Sequence, residues 1–173
     1  LEKYMFIRPL TAVSTVLLTL LLSVIGTAAT ADTLAGKVVG VHDGDTLTLL
    51  DDSNRQIKIR LAEIDAPESH QPYGSRAKQE LSGLAFGRSA AVQVQDIDRY
   101  GRTVGRVTVD DVDVNAEMVR RGAAWVYRKY AKDQSLFTIE EQARDTKAGL
   151  WALPEADQMP PWEWRKMKKS RTK

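Results

Sequence analysis

Two clusters of carboxylates and two arginines stand in a fixed order in this chain. The first cluster is Asp43-Gly44-Asp45-Thr46, the second runs from Arg60 through Glu63 and Asp65-Ala66-Pro67 to Glu68, and Arg99-Tyr100-Gly101-Arg102 follows. Carboxylates are hard oxygen donors suited to a divalent cation. Arginine presents a planar fork of donors that matches phosphate oxygens. A carboxylate such as Glu68, three residues past Asp65, can take a proton from water. A cation site, a base and positive charge for a phosphate are what hydrolysis of a phosphodiester calls for. Each piece alone has a plainer reading. Asp43-Gly44-Asp45 suits an ordinary hairpin turn, and it lacks the ligand ladder and distal Glu of an EF-hand. Asp65 and Glu68 suit any polar loop, and Arg60 and Arg102 suit solvated strand faces. The ordered set is what points to a site.

The elements that must position these residues are short. Leu34–Val41 and Thr46–Leu50 are β-rich runs on either side of the Asp-Gly turn, and Asp51–Asn54 is turn chemistry. Gln56–Leu61 alternates, placing Ile57, Ile59 and Leu61 on one strand face and Arg60 with Lys58 on the other. Pro67 biases Ala66 to an extended backbone. Ser75–Phe86 reads as a helix with Ala77, Leu81, Leu84 and Ala85 on one stripe and Gly87 as its stop. Residues 91–95 and Arg102–Val109 alternate again. Asn115 is read as the cap of a short helix through Arg121, closed by Gly122. Ala124–Val126 is a short strand and Gln134–Ala148 a helix, with Leu150 and Trp151 returning to the core. Pro154, Pro160 and Pro161 are read as ending regular structure. The sum is an α+β chain: a small five-stranded OB-type β-barrel with about three helices.

Composition narrows the function further. There is no cysteine, hence no disulfide framework and no thiolate chemistry. His42 and His70 are the only histidines, too few for a His-based metal centre, and no Gly-Lys-Ser/Thr sequence marks a nucleotide P-loop. The net charge of +2 is unevenly spread. Arg165–Lys173 holds six basic residues and no acid, whereas residues 32–164 hold 17 basic and 22 acidic. The basic tail reads as a solvated, disordered terminus. Trp162 and Trp164 beside it read as a hydrophobic clasp on the domain, with stacking on bases as the other reading. At the other end, Lys3 and Arg8 precede the apolar run Thr11–Ile25, and Ala29-Thr30-Ala31 supplies an A-x-A cleavage site. The organisation expected is a signal peptide over 1–31, one domain over 32–153 and a Pro/Trp-containing basic tail over 154–173. Cleavage after Ala31 would make the protein secreted or periplasmic. Left uncleaved, the segment would be the only membrane attachment.

These motifs jointly resemble the thermonuclease, or staphylococcal nuclease-like, family. The resemblance runs through Asp43–Thr46, Arg60–Glu68, Arg99–Arg102, Val114–Gly122 and Gly149–Trp151. It implies a calcium-dependent endonuclease that hydrolyses DNA and RNA to 3′-phosphate ends; separately, no stable protein partner is implied and a monomer is expected. Carried over by position, Asp45 and Asp65 would be carboxylate ligands of Ca²⁺, and Ala66 would add its main-chain oxygen where the family often has threonine. Glu68 would be the general base. Arg60 and Arg102 would hold the phosphate and stabilise the charge that develops on it. Asp43 would support the ligands from behind. Arg99 and Tyr100 would border the nucleotide, and Tyr130 would stack on a base. The alternative function is a nucleic-acid-binding barrel without catalysis. The presence of Asp45, Asp65, Glu68, Arg60 and Arg102 together favours the enzyme.

Overall fold

The computed structural model describes residues 32–171. The expected signal peptide lies outside the described residues. Five strands carry the architecture: β1 (Thr33–Val41), β2 (Thr46–Leu50), β3 (Gln56–Leu61), β5 (Ser89–Ile97) and β6 (Thr103–Val109). Their order is β3-β2-β1-β5-β6, and β3 also pairs in parallel with β6, which closes the sheet into a barrel. The two nine-residue strands turn the barrel's corners. Their pairing shifts register between Val38 and Gly40 in β1 and between Val94 and Asp96 in β5, and such bulges bend a strand and raise its twist. Alternation explains which face is inward: Ile59 and Leu61 of β3, Val92 of β5 and Val107 of β6 are fully buried.

Three two-residue strands, β4 (Ile64–Asp65), β7 (Val112–Asp113) and β8 (Trp125–Val126), complete the β structure; β7 extends the barrel sheet and β4 pairs with β8. Helices α1 (Gly74–Ala85), α2 (Val114–Arg120) and α3 (Gln134–Asp145) pack through Ala77, Leu81, Met118, Val119 and Leu136 onto the barrel's inner residues. The α2 cap differs from expectation. Asp113 is the N-cap, accepting the Ala116 N–H, and Asn115 is buried inside the first turn. Its carboxamide accepts from Val107 N and donates to the Ala62 carbonyl, tying β6 to the turn after β3. A buried amide with both ends satisfied acts as a rivet between elements.

The tail also differs. Residues Pro161–Arg171 form a fourth helix, α4, so among the described residues the barrel carries four α-helices rather than about three. Pro161 begins this helix instead of ending structure, because a proline at the first helical position loses no hydrogen bond. Glu163 lies in the first turn and pairs with Lys166, in keeping with the helix dipole. The expected clasp is present. Trp162 stacks on Tyr127 at 5.4 Å between ring centroids and meets Trp125 edge-on at 5.9 Å. Among the described residues, no helix is long and apolar enough to cross a membrane.

Candidate metal and phosphate site

The site is assembled where the β1–β2 turn meets the loop after β3. His42 N donates to the Thr46 carbonyl and Leu61 N to the Asp45 carbonyl, which clamps the turn onto β3. Asp45 N donates to Asp43 Oδ1 at 3.1 Å, so Asp43 shapes the turn that presents Asp45. Gly44 is required by closeness: a Cβ there would lie 2.6 Å from the Ala66 Cβ and 2.7 Å from the Ala77 Cβ. The turn is thereby pressed against both the Asp65 loop and α1. Ala66 N donates to Asp45 Oδ2 at 2.9 Å, a direct link between the two acidic clusters.

Arg60 is the centre of this arrangement. As alternation required, it lies on the strand face opposite Ile59, but that face is covered rather than solvated, and its side chain is only 13% exposed. Nη1 donates to the Leu61 and Ile64 carbonyls at 2.8 and 2.9 Å. Nη2 lies 2.9 Å from Asp65 Oδ1 and 3.3 Å from Asp45 Oδ2. One nitrogen therefore gathers both carboxylates. Burial acts to lower the Arg60 pKa, and the charges of Asp45, Asp65 and Asp43 outweigh it, leaving it raised. Crowding of like charges shows on the acids. Asp43 is pushed up to about 6 by burial and by the neighbouring Asp45 charge. Asp65, 1% exposed, is also raised: burial outweighs the hydrogen bond from Arg165 and the attraction of the arginines.

Glu68 sits at the mouth, with its side chain 41% exposed. Its backbone is fixed by exchange with the buried Gln71, which accepts the Glu68 N–H through Oε1 and returns its own N–H to the Glu68 carbonyl. Gly74 closes on the same carbonyl; a Cβ at that position would fall 1.9 Å from it. The loop backbone is thus held by hydrogen bonds and packing, and the Glu68 carboxylate projects from it at the edge of the site.

Arg102 joins through Thr46. The Thr46 hydroxyl donates to Asp45 Oδ1 at 3.0 Å and accepts from Arg102 Nη1 at 3.4 Å. Asp98 organises the loop that carries Arg102. It accepts from Tyr100 N, Arg102 N and Arg102 Nε, the last at 2.7 Å. Burial tends to raise the Asp98 pKa, and the hydrogen bonds from Arg102 and Tyr100 bring it below the ordinary value. Arg99 and Tyr100 form the exposed rim: the Arg99 guanidinium bonds the Tyr100 hydroxyl and sits 4.7 Å from the ring centroid. Tyr130 is exposed and packs edge-on against Tyr127, within the aromatic group beneath α4.

One site residue escaped the sequence reading. Arg165 of α4 reaches the carboxylates, with Nη2 2.6 Å from Asp65 Oδ2 and Nη1 2.8 Å from Glu68 Oε1. Burial acts against its charge, and the bonds to Asp65 and Glu68 outweigh that, so its pKa is raised. The available signal was Pro161 with Trp162 and Trp164, a helix start followed by anchoring aromatics.

In chemical terms, Asp45 and Asp65 offer converging hard oxygens. No group of three or more His, Cys, Asp or Glu side chains among the described residues is arranged to hold a metal. A cation here would draw its remaining oxygens from the main chain and water, which suits a large ion tolerant of irregular coordination. Arg60 and Arg102 place two guanidinium groups against Asp45, one directly and one through Thr46.

The model of the family described as staphylococcal nuclease homologue matches residues 58–153, and the chain, with its closed barrel, belongs to that family. A micrococcal nuclease from Shigella flexneri is 44% identical over 149 residues, covering 79% of this chain and 83% of that protein. A protein called ParB from Escherichia coli is 42% identical, covering 80% and 82% respectively. An uncharacterized endonuclease from Haemophilus influenzae is 40% identical over 133 residues, covering 77% and 74%.

Proposed function

We propose that the protein is an exported, calcium-dependent endonuclease that hydrolyses phosphodiester bonds of DNA and RNA and leaves 3′-phosphate ends. The observation that carries this reading is the convergence of Asp45 and Asp65 on Arg60, with Glu68 on the same loop. The names of the relatives support the nuclease class, and the charge pattern at 1–31 supports export. Asp45, Asp65 and the Ala66 carbonyl would hold the ion, which supplies a Lewis acid for the phosphoryl oxygen and lowers the pKa of water beside it. Glu68, on its fixed backbone, accepts the proton of the attacking water. Arg60 and Arg102 orient the phosphate and stabilise the charge that grows on its oxygens as phosphorus becomes five-coordinate. Arg99 and Tyr100 border the nucleotide. Tyr130 belongs to a base-stacking role only when the substrate extends over the aromatic group near α4.

The 3′-phosphate follows from which ester bond breaks. Digesting a defined oligonucleotide, as DNA and as RNA, and analysing the products by mass spectrometry tests this. Fragments carrying 3′-phosphate and 5′-hydroxyl are expected. Fragments with 5′-phosphate, or binding without cleavage, would overturn the reading, the latter in favour of a binding module.

A further inference from the structure

Arg165 lies outside the matched family region of residues 58–153, yet it bonds the two carboxylates at the centre of the site. Its approach is built, not incidental. Trp162, one turn earlier, is stacked on Tyr127 and held by Trp125. Upstream, Gln71 donates to the Met159 carbonyl, so the loop that carries Glu68 also holds the start of α4. Gln158 donates to the Trp151 and Leu153 carbonyls. These contacts deliver one guanidinium to Asp65 and Glu68 with both forks engaged.

The result is that no oxygen of Asp65 is free of a cation. Oδ1 accepts from Arg60 Nη2 and from Arg165 Nη1 at 3.2 Å, and Oδ2 accepts from Arg165 Nη2. Glu68 Oε1 is paired as well. A guanidinium held against these oxygens opposes a second cation at the same place, so Arg165 and a divalent ion compete for Asp65. Arg60 is locked by two main-chain carbonyls, whereas Arg165 is 39% exposed and reaches the carboxylates from a helix outside the barrel.

We propose that Arg165 is a further residue of the reaction centre: an internal counter-cation that holds Asp65 and Glu68 and competes with the divalent ion for Asp65. This rests on the metal-site reading above. A divalent ion held by Asp65 would displace the guanidinium, and the Arg165 side chain would swing away from both carboxylates. The same helix carries Lys166, Lys168 and Lys169, positive charges that would attract the phosphate backbone of a substrate.

The test is calorimetric titration of calcium chloride into chelator-stripped full chain, comparing the unaltered protein, Arg165→Ala and Trp162→Ala, each checked by circular dichroism. Both variants should bind calcium more tightly, by up to about fivefold, the scale set by loss of a partly exposed ion pair. Arg165→Gln serves the same comparison if Arg165→Ala does not fold. Affinity equal to or weaker than that of the unaltered protein in the Arg165 variant overturns the proposal, because a residue that positions ligands would weaken binding when removed. Absence of calcium binding in every form overturns the metal site and this proposal together.

Discussion

Replacing Arg60 by lysine is the most informative single change. The substitution keeps the positive charge and much of the aliphatic stem, so a purely electrostatic role would survive it. The geometry requires more. Two guanidinium nitrogens divide four oxygens: Nη1 serves the Leu61 and Ile64 carbonyls, and Nη2 serves Asp65 with Asp45 close by. A lysine ammonium is a single point with three donors and cannot span both groups. If it follows the carboxylates, the carbonyls of the turn after β3 lose their partner in a region that is buried throughout. A buried acceptor left unpaired costs about 1–3 kcal/mol. With two carbonyls affected and partial relaxation, Arg60→Lys should destabilise the fold by roughly 2–4 kcal/mol, or roughly 5–15 °C in Tm for a chain of this size. The loss of a preorganised donor aimed at the phosphate should lower kcat by a further ~10²–10³-fold at temperatures where the variant is folded. Urea unfolding followed by circular dichroism gives the first number, and steady-state cleavage of a short oligonucleotide well below the variant's Tm gives the second. A variant with unaltered stability and unaltered kcat would refute the assignment of Arg60 to both roles. Normal stability with reduced kcat would refute the structural half alone.

Other outcomes follow from the same contacts. Gly44→Ala should cost about 1–3 kcal/mol by overpacking against Ala66 and Ala77, and should weaken calcium binding because the Asp45 turn must back away; thermal melts with a calcium titration check both. Glu68→Gln should retain calcium affinity while lowering the single-turnover rate by ~10²–10⁴-fold, the usual contribution of a general base; a near-normal rate would remove Glu68 from that role. Chelation should abolish cleavage and leave the far-ultraviolet circular dichroism spectrum unchanged, because the barrel core of Leu47, Ile59, Leu61, Val92 and Val107 is independent of the site.

The sequence was most legible where backbone periodicity and side-chain chemistry agreed. Gln56–Leu61 alternates cleanly, and the strand, its buried face and the opposite placement of Arg60 all follow. The two acidic clusters and the arginine pair were legible as an ordered set, although separation along the chain does not reveal that one Arg60 nitrogen would gather Asp45 and Asp65. Closure of the barrel by parallel pairing of β3 with β6 is a long-range event that no local pattern encodes. Asn115 misled because Asn at a helix start has the chemistry of a cap; here Asp113 fills that place and burial recruits Asn115 for the interior. The tail misled through its charge. A run of lysines and arginines resembles a solvated terminus, but Pro161 sets the first turn and Trp162 supplies an anchor for the helix. Arg165 could be placed against Asp65 only once that helix was docked.

The most direct measurement of the central claim is cleavage of supercoiled plasmid DNA by the purified full chain, in calcium chloride and in excess chelator, with Asp45→Ala run alongside. Nicked and then linear DNA should form only with calcium, and only with Asp45 present. Equal cleavage in chelator, or by Asp45→Ala, would contradict a metal-assisted site at the junction of the β1–β2 turn and the loop after β3.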